Sequence, residues 1–237
     1  KLNIEPEDYK IKVFSVNALD TPDLNGFCIP HKDSEGQMVT SFTLPAWMPK
    51  PEDGEYGCLF LDEWSQASPD MQKAGASLLL DNRVGEFVLP AGWNVVAAGN
   101  RMKDKAGVVK PLSHVTNRVA YLEIDFSVDD WASWAQSEGI HYLFTAFAKF
   151  RPALINEDVP SEPKPFCTPR SFSRFAQWAE LYSQGNLTHA LVKDTVVLET
   201  GIGMIGRAAT TECLGFLRVA SDLPSYDDVL ADPVGAA

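Results

Sequence analysis

The sequence predicts an α/β protein in which a parallel sheet is followed by a smaller helical domain. Three short apolar runs predict strands, and the first of them lacks alternation, which suits burial on both faces of a parallel sheet. The runs are Cys58–Leu61, Asn94–Ala98 and Val119–Ile124. The composition then shifts to helical patterns. We therefore predict a core over residues 1–126, a helical domain over 127–226 and a linker or frayed tail over 227–237.

The N-terminal part of the predicted core holds a strand, a short helix and an insertion. β-Branched and aromatic residues alternate over Ile11–Val16, which predicts a strand. An N-cap and a first-turn proline at Asp20–Asp23 predict a short helix. Residues 27–50 contain prolines and a polar turn between two β-like runs, which indicates a hairpin-like insertion. Its aromatic residues Phe42 and Trp47 either pack beneath the loop or form a surface that grips a partner.

A helix and a hairpin follow the first apolar run. Ser68 is placed to cap a helix with Pro69 at its first position, and the helix continues to Leu80. Residues Asp81–Trp93 indicate a hairpin closed by the turn Pro90–Gly92.

The helical domain begins at a capping box formed by Ser127 and Asp130. A proline-rich loop, Pro160–Pro169, interrupts it. Residues Gly201–Gly206 match G-x-G-x-x-G and follow the strand-like Thr195–Leu198. A dinucleotide fold needs several further strand–helix units after that fingerprint, and too few residues remain. We interpret these glycines as a turn between elements of the helical domain.

Composition and charge argue against two classes of protein, nucleic-acid-binding and membrane-spanning. The chain has 237 residues, 45% of them hydrophobic, and a net charge of −12. This acidic balance argues against broad contact with nucleic acid phosphates, although it leaves room for a local basic pore in an oligomer. The sequence has no apolar run of transmembrane length and no signal-peptide pattern. The sequence therefore predicts a cytoplasmic protein with no membrane association.

Cysteine and histidine usage indicates neither disulfides nor a transition-metal site. The four cysteines are far apart and form no C-x-x-C, which is typical of reduced thiols in a cytosolic protein. The four histidines are equally scattered and lack the spacing of metal ligands.

Two acids, Asp62 and Glu63, come directly after the first apolar run. Open α/β sheets bind their ligands at the carboxyl ends of the strands, so this position is suited to a functional site. A solvated acidic turn is the alternative. The run Asn94–Ala98 also delivers polar residues, Asn100 and Arg101, to its carboxyl end.

The order of these blocks resembles the MoxR branch of AAA+ ATPases over nearly the whole chain. The matching segments are Asp20–Gly26 for the second helix and its insert, Gly57–Ser68 for Walker B, Asp81–Trp93 for the hairpin before sensor one, Val95–Arg101 for sensor one, Ser113–Val119 for the arginine-finger segment and Thr168–Phe172 for sensor two. The resemblance implies a P-loop NTPase core with a C-terminal helical lid domain.

The resemblance also implies a role for each site residue. Asp62 is expected to hold Mg²⁺ and contribute to nucleotide binding, and Glu63 to orient the water that attacks the terminal phosphate of ATP. Asn100 hydrogen-bonds that water and the γ-phosphate. Arg118 serves as an arginine finger for the neighbouring subunit, and Arg170 reaches the nucleotide from the helical domain.

Two further arginines, Arg83 and Arg101, are candidates for subunit contacts and rank below Arg118. For every one of these arginines, the alternative is a surface ion pair with one of the 32 acids.

The resemblance implies the activity of a hydrolase and chaperone. In the family's manner, the protein would form a hexameric ring that hydrolyses ATP with Mg²⁺ to remodel a protein substrate. A partner with a von Willebrand A type domain is also implied. Two rivals remain open. One is a catalytically inactive ring subunit or adaptor, and the other is a nucleic-acid motor of the same superfamily.

The sequence departs from the family in one respect. No G-x-x-x-x-G-K-[ST] loop is present. The resemblance places that loop and its strand before Ile11, and the strand itself between Asn94–Ala98 and Val119–Ile124 in the sheet. We therefore expect that the sequence is a piece of a longer polypeptide, and that alone it binds nucleotide poorly.

Overall fold

The computed structural model describes residues 5–101, 109, 113–184, 187 and 193–221. The chain divides into two units, Lys1–Leu122 and Glu123–Ala237. The tail predicted over 227–237 lies outside the described residues.

A parallel sheet of three strands, in the order β1-β4-β7, forms the centre of the first unit. Its strands are β1 (Tyr9–Ser15), β4 (Tyr56–Asp62) and β7 (Trp93–Ala97). β4 is parallel to both neighbours, with Val13 opposite Phe60 and Phe60 opposite Val96. Leu59 and Leu61 of β4 share one face of the sheet and are fully buried. On the opposite face Phe60 is half-buried, and its neighbours Val13 and Val96 are 67% and 42% exposed, so the predicted burial of this strand on both faces is seen on one face only. The predicted α/β class with a parallel sheet is confirmed.

The described residues of this unit include the α-helices α1 (Thr21–Asn25), α2 (Pro69–Asp81) and α3 (Ser113–Thr116). The backbone N–H of Asp20 donates to Asp23 Oδ2 at 3.0 Å, which caps α1. Ser68 Oγ accepts from the N–H of Met71 at 3.2 Å and caps α2. Both starts are those that the sequence predicts, because each cap satisfies a backbone donor that the helix leaves unpaired.

The segment predicted as an insertion contains the antiparallel strands β2 (Cys28–Lys32) and β3 (Met38–Phe42). Trp47 packs against Phe14, with ring centroids 5.4 Å apart, and its Nε1 donates to Asp23 O at 3.1 Å. Phe42 is 40% exposed. Trp47 therefore packs beneath the insertion, whereas Phe42 faces solvent.

The predicted hairpin over Asp81–Trp93 is present, but the predicted turn is wrong. β5 (Arg83–Val84) pairs antiparallel with β6 (Phe87–Val88), so the chain reverses at Gly85. Gly85 has φ of 54°, a left-handed conformation that closes a two-residue hairpin turn. The turn Pro90–Gly92 instead leads into β7.

The strand predicted over Val119–Ile124 is absent, which corrects the third strand of the sequence analysis. Residues 119–124 have no regular secondary structure, and Leu122 and Ile124 are 85% and 89% exposed. β7 is the last strand of the described sheet, so no neighbour offers this segment a ladder of hydrogen bonds. An apolar run without a pairing partner does not become a strand.

The second unit is helical. The helices among its described residues are α4 (Val128–Ser137), α5 (Tyr142–Phe150), α6 (Pro152–Ile155), α7 (Pro169–Tyr182) and α8 (Thr195–Ser221). Ser127 Oγ accepts from the N–H of Asp130 at 3.2 Å, as the sequence predicts. The core contains a cluster of aromatic rings in which Phe172 packs against Trp131, Phe144 and Phe147.

One prediction within α8 is wrong, and the predicted glycine turn is confirmed only at Gly206. Thr195–Leu198 begins a helix instead of forming a strand, and Gly201 and Gly203 are helical. The helix is broken only at Gly206, where φ is 78°. A Cβ added to Gly206 would lie 2.8 Å from Pro165 O, so both the backbone conformation and the close approach of the loop require glycine.

All four cysteines are free thiols, which agrees with the prediction. Burial raises the pKa of Cys58, and burial together with the nearby Glu157 carboxyl raises the pKa of Cys167 to about 12. Burial also raises the pKa of Cys213. These three thiols stay protonated at neutral pH and pack as small apolar side chains, while Cys28 is exposed.

Across residues 5–101, 113–184 and 193–221, no helix has the length and apolar character needed to cross a membrane.

Candidate functional site

The acidic pair lies at the carboxyl end of the central strand. Asp62 is the last residue of β4, and Glu63 follows in a left-handed conformation with φ of 56° and ψ of 30°. Asp62 Oδ1 accepts a hydrogen bond from the N–H of Glu63 at 2.9 Å. A glutamate in this region costs about 1 kcal/mol or more. Both side chains are half-buried.

The turn that follows β1 contacts the side chain of Glu63. Asn17 Nδ2 donates to Glu63 Oε2, and Ser15 Oγ donates to Asn17 Oδ1 at 3.2 Å. Ser15 ends β1 and lies opposite Asp62 in the sheet register. The sequence analysis missed Asn17. The available signal was its position, because a polar residue just beyond the strand next to β4 reaches the same edge of the sheet.

The loop after β7 is tied to the loop after β4. Ala98 N–H donates to Leu61 O at 2.9 Å, and Trp64 N–H donates to Ala98 O at 2.8 Å. Asn100 follows two residues later and is exposed. The structure thus places Asp62, Glu63 and Asn100 at one edge of the sheet. Asn100 makes no direct hydrogen bond to either acid.

Gly99 allows the two loops to approach. A Cβ added to Gly99 would lie 2.5 Å from Ser65 Oγ and 2.8 Å from the Ser65 backbone nitrogen. Ser65 Oγ is itself buried without a hydrogen-bond partner. Because the obstructing atoms include backbone, a side chain at residue 99 would push the Asn100 loop away from the acids.

We expect Gly99→Ala to lower the free energy of unfolding by about 1–3 kcal/mol, as overpacking typically does. Chemical denaturation followed by fluorescence measures this loss. Gly203→Ala is the matched control, because no atom lies within 4 Å of its added Cβ and alanine favours a helix more than glycine does. Equal stability of Gly99→Ala and the unmodified protein would show that the two loops are not tightly joined.

Arg118 lies two residues after the end of α3. Its backbone N–H donates to Val115 O at 2.9 Å, and its side chain is exposed. Within the part of the chain that the structure describes, no carboxylate pairs with it. Arg83 differs, because its Nη2 donates to Gly85 O at 3.2 Å and so supports its own hairpin. Arg101 is half-buried.

Arg170 belongs to the second unit. It is the second residue of α7, which Thr168 caps by accepting the N–H of Ser171 at 3.1 Å. The side chain of Arg170 is exposed and borders a groove together with Trp131 and Trp134.

Asp62 and Glu63 can bind Mg²⁺ only together with ligands from a bound substrate and water. Among the described residues, no group of three or more histidine, cysteine or acidic side chains is arranged to hold a metal. Mg²⁺ in nucleotide sites takes one or two carboxylates and completes its shell with phosphate oxygens and water. Asp62 supplies a hard oxygen ligand of that kind, and a phosphate substrate would have to supply others.

Comparisons with known proteins leave the family open. No model of a known protein family matches this sequence, and no curated protein is significantly similar to it. A solved structure similar to this chain is that of NtrX from Brucella abortus, with 10% identity over 76% of this chain and 42% of that chain, and a TM-score of 0.41. This chain thus spans less than half the length of that protein.

Proposed function

We propose that this protein is the α/β core and helical domain of a MoxR-like AAA+ ATPase. In this proposal, the full-length polypeptide hydrolyses ATP with Mg²⁺ and uses the cycle to remodel a partner protein in the cytoplasm. The observation that carries the proposal is the carboxyl edge of the sheet, where Asp62 and Glu63 end the central strand and the loop of Asn100 is bonded beside them.

Each residue at this edge has a separate task. Asp62 binds Mg²⁺, which when present neutralises charge on the β- and γ-phosphates of ATP. Glu63 is held by Asn17 and accepts a hydrogen bond from the attacking water, whose proton it draws away as the water approaches phosphorus. Asn100 orients the same water through its amide without adding charge.

The position of Arg118 supports the proposal that the protein assembles into a ring. Arg118 is exposed and unpaired within the described chain, so its guanidinium is available to the γ-phosphate bound by a neighbouring subunit. A closed ring repeats this contact at every interface, and six subunits are the number that the family resemblance suggests. In this proposal the remodelled partner bears a von Willebrand A type domain, as the family resemblance suggests.

The proposal is tested by measuring phosphate release from ATP by the full-length polypeptide. We expect turnover that requires Mg²⁺ and falls about 100-fold or more in Asp62→Asn, because the ion's stabilisation of the transition state is lost. Asp81→Asn is the matched control, since Asp81 is an exposed acid at the end of α2.

The alternative to a motor is an inactive ring subunit or adaptor. A full-length protein that assembles into rings but releases no phosphate, with or without the Asp62→Asn change, would contradict the proposal and support that alternative.

A further inference from the structure

The two faces of the sheet formed by β1, β4 and β7 differ in burial. On one face, Leu59 and Leu61 of β4 are fully buried in a core that also contains Leu24 of α1 and Leu78 of α2. The helices α1 and α2 therefore both lie on this covered face of the sheet.

The opposite face of the sheet, the open face, carries Ile11, Val13, Cys58, Phe60 and Val96, because side chains alternate along each strand and the register aligns these residues. Ile11 is 65% exposed and Val13 is 67% exposed. The strands of a parallel sheet are usually covered on both faces. Contiguous exposed apolar side chains at the centre of a sheet therefore indicate a surface that packs against a further element.

The open face is apolar and uncharged between its two ends. At one end, Tyr9 OH donates to Asn94 Oδ1 at 2.7 Å. This hydrogen bond joins β1 to β7 across β4, and Cys58 of β4 is only 7% exposed. The other end is marked by Asp62. No charged residue belongs to this face between the hydrogen bond and Asp62, so an apolar surface would fit it without burying an unpaired charge.

The connections between the strands explain why α1 and α2 share a face. From β1 to β4 and from β4 to β7, the chain steps in the same direction across the sheet, and each connection contains a helix. Right-handed crossovers that step in one direction place their helices on one face. A helix on the open face therefore belongs to a crossover that steps the opposite way, from the β7 side toward β1.

No described element of the first unit makes that reverse crossover. The helix α3 follows β7 but contacts α2, which places it on the covered side. A crossover that ends in β1 lies before β1 in the sequence, and it starts from a strand at the free edge of β7. The family resemblance alone placed a strand at that edge. The handedness of the crossovers leads to the same edge independently and adds a helix on the open face.

The size of the open face favours one helix over a second copy of this chain. Three strands about 4.8 Å apart are about 14 Å wide, and the seven residues of β1 extend about 23 Å. The resulting area of about 300 Å² is far below the area of about 800 Å² that each partner contributes to a stable protein–protein interface. A helix is about 10–12 Å wide, and about 15 of its residues extend 23 Å.

We propose that the open face is the docking surface of one amphipathic helix, which precedes β1 in the full-length polypeptide and packs its apolar side on Ile11, Val13, Phe60 and Val96. The inference goes beyond the proposed function, because it rests on burial and chain direction and requires neither ATP nor Mg²⁺.

The test is the rate at which a maleimide labels Val13→Cys, measured by mass spectrometry in the 237-residue chain and in the full-length polypeptide. Both carry Cys28→Ser, because Cys28 is exposed whereas the other three cysteines are buried. We expect rapid labelling in the 237-residue chain. In the full-length polypeptide we expect labelling to be about tenfold slower or more, because the thiol reacts only when the helix opens locally.

Val88→Cys is the matched control, since Val88 is 64% exposed on β6 and does not belong to the open face. It should be labelled at the same rate in both proteins. Equal rates for Val13→Cys in the two proteins would overturn the proposal. Protection of Val13→Cys already in the 237-residue chain, or protection in the full-length polypeptide that is lost on dilution, would also overturn it and indicate contact with another copy.

A second variant tests the same contact through stability. Val13→Lys should leave the denaturation midpoint of the 237-residue chain unchanged, because the side chain is exposed there, and should lower the midpoint of the full-length polypeptide, where the charge would be buried. Val88→Lys should have the same small effect on both proteins. A full-length midpoint that is unchanged by Val13→Lys would contradict the docked helix.

These outcomes are independent of ATP turnover. Protection of Val13→Cys in a full-length polypeptide that releases no phosphate would support the docked helix and contradict the proposed ATPase. Phosphate release by a full-length polypeptide in which Val13→Cys is labelled rapidly would do the reverse.

Discussion

Arg118→Ala is expected to lower the ATP turnover of the assembled full-length protein by about 10³- to 10⁵-fold, the contribution of an arginine finger in related phosphoryl-transfer systems. The reason is electrostatic. Charge on the γ-phosphate oxygens is stabilised in the transition state by a guanidinium that cannot lose its proton. Folding should be unaffected, because the side chain is exposed and contacts no described acid.

The measurement is steady-state phosphate release, with nucleotide binding and ring assembly determined in parallel. Arg83→Ala is the matched comparison, since Arg83 is also exposed but donates to its own hairpin. Near-normal turnover in Arg118→Ala would remove the finger assignment. A similar loss in Arg83→Ala would transfer that role to Arg83 or divide it between the two residues.

Mixing variants shows whether Arg118 acts on a neighbour. An interface is competent when one subunit supplies Glu63 and the adjacent subunit supplies Arg118. In an equal, random mixture of Arg118→Ala and Glu63→Gln subunits, about one quarter of heterologous interfaces meet this condition. Two inactive variants should therefore regain partial turnover on mixing. No recovery in mixed rings would indicate that Arg118 acts within its own subunit or not at all.

The elements that were predictable from sequence are those whose determinants are local. Ser68 and Ser127 each precede a helix and accept its third amide, as their spacing requires. The central strand was equally predictable, because Leu59 and Leu61 belong to a run with no polar alternation. In each case, the sequence pattern that indicates the element lies within a few neighbouring residues.

The elements that were missed depend on distant partners or on backbone conformation. Val119–Ile124 has the composition of a strand, yet a strand forms only beside another, and β7 is the last strand described in this sheet. Gly85 and Gly206 both adopt positive φ, but one closes a hairpin and the other breaks a helix against Pro165. The sequence indicates that a glycine can adopt a positive φ, but it does not indicate whether that glycine closes a hairpin or breaks a helix.

The candidate site was partly predictable for the same reason. Asp62, Glu63 and Asn100 follow apolar runs, and the carboxyl ends of parallel strands meet at one edge. The bond between Asn17 and Glu63 was not predictable, since it depends on β1 being next to β4 and on the left-handed turn at Glu63. The relation of Arg170 to this edge stays a prediction.

Glu63→Gln is expected to reduce the turnover of the full-length protein by about 10²- to 10⁴-fold, which is the usual contribution of a general base. The substitution removes the negative charge that draws a proton from the attacking water. It keeps the size of the side chain and an oxygen that can accept from Asn17 Nδ2, so the turn should retain its geometry. Stability should change by less than about 0.5 kcal/mol.

Two readouts separate this chemical effect from a structural one. ATP binding in the presence of Mg²⁺ should be retained in Glu63→Gln, because Asp62 and the phosphate contacts are unchanged, so bound ATP should accumulate without hydrolysis. Glu86→Gln, at an exposed hairpin turn, should match the unmodified protein in every assay. If Glu63→Gln hydrolyses ATP at a normal rate, Glu63 does not activate the attacking water. Asp62 and Glu63 would then be a solvated acidic turn after β4, which is the alternative interpretation of this pair.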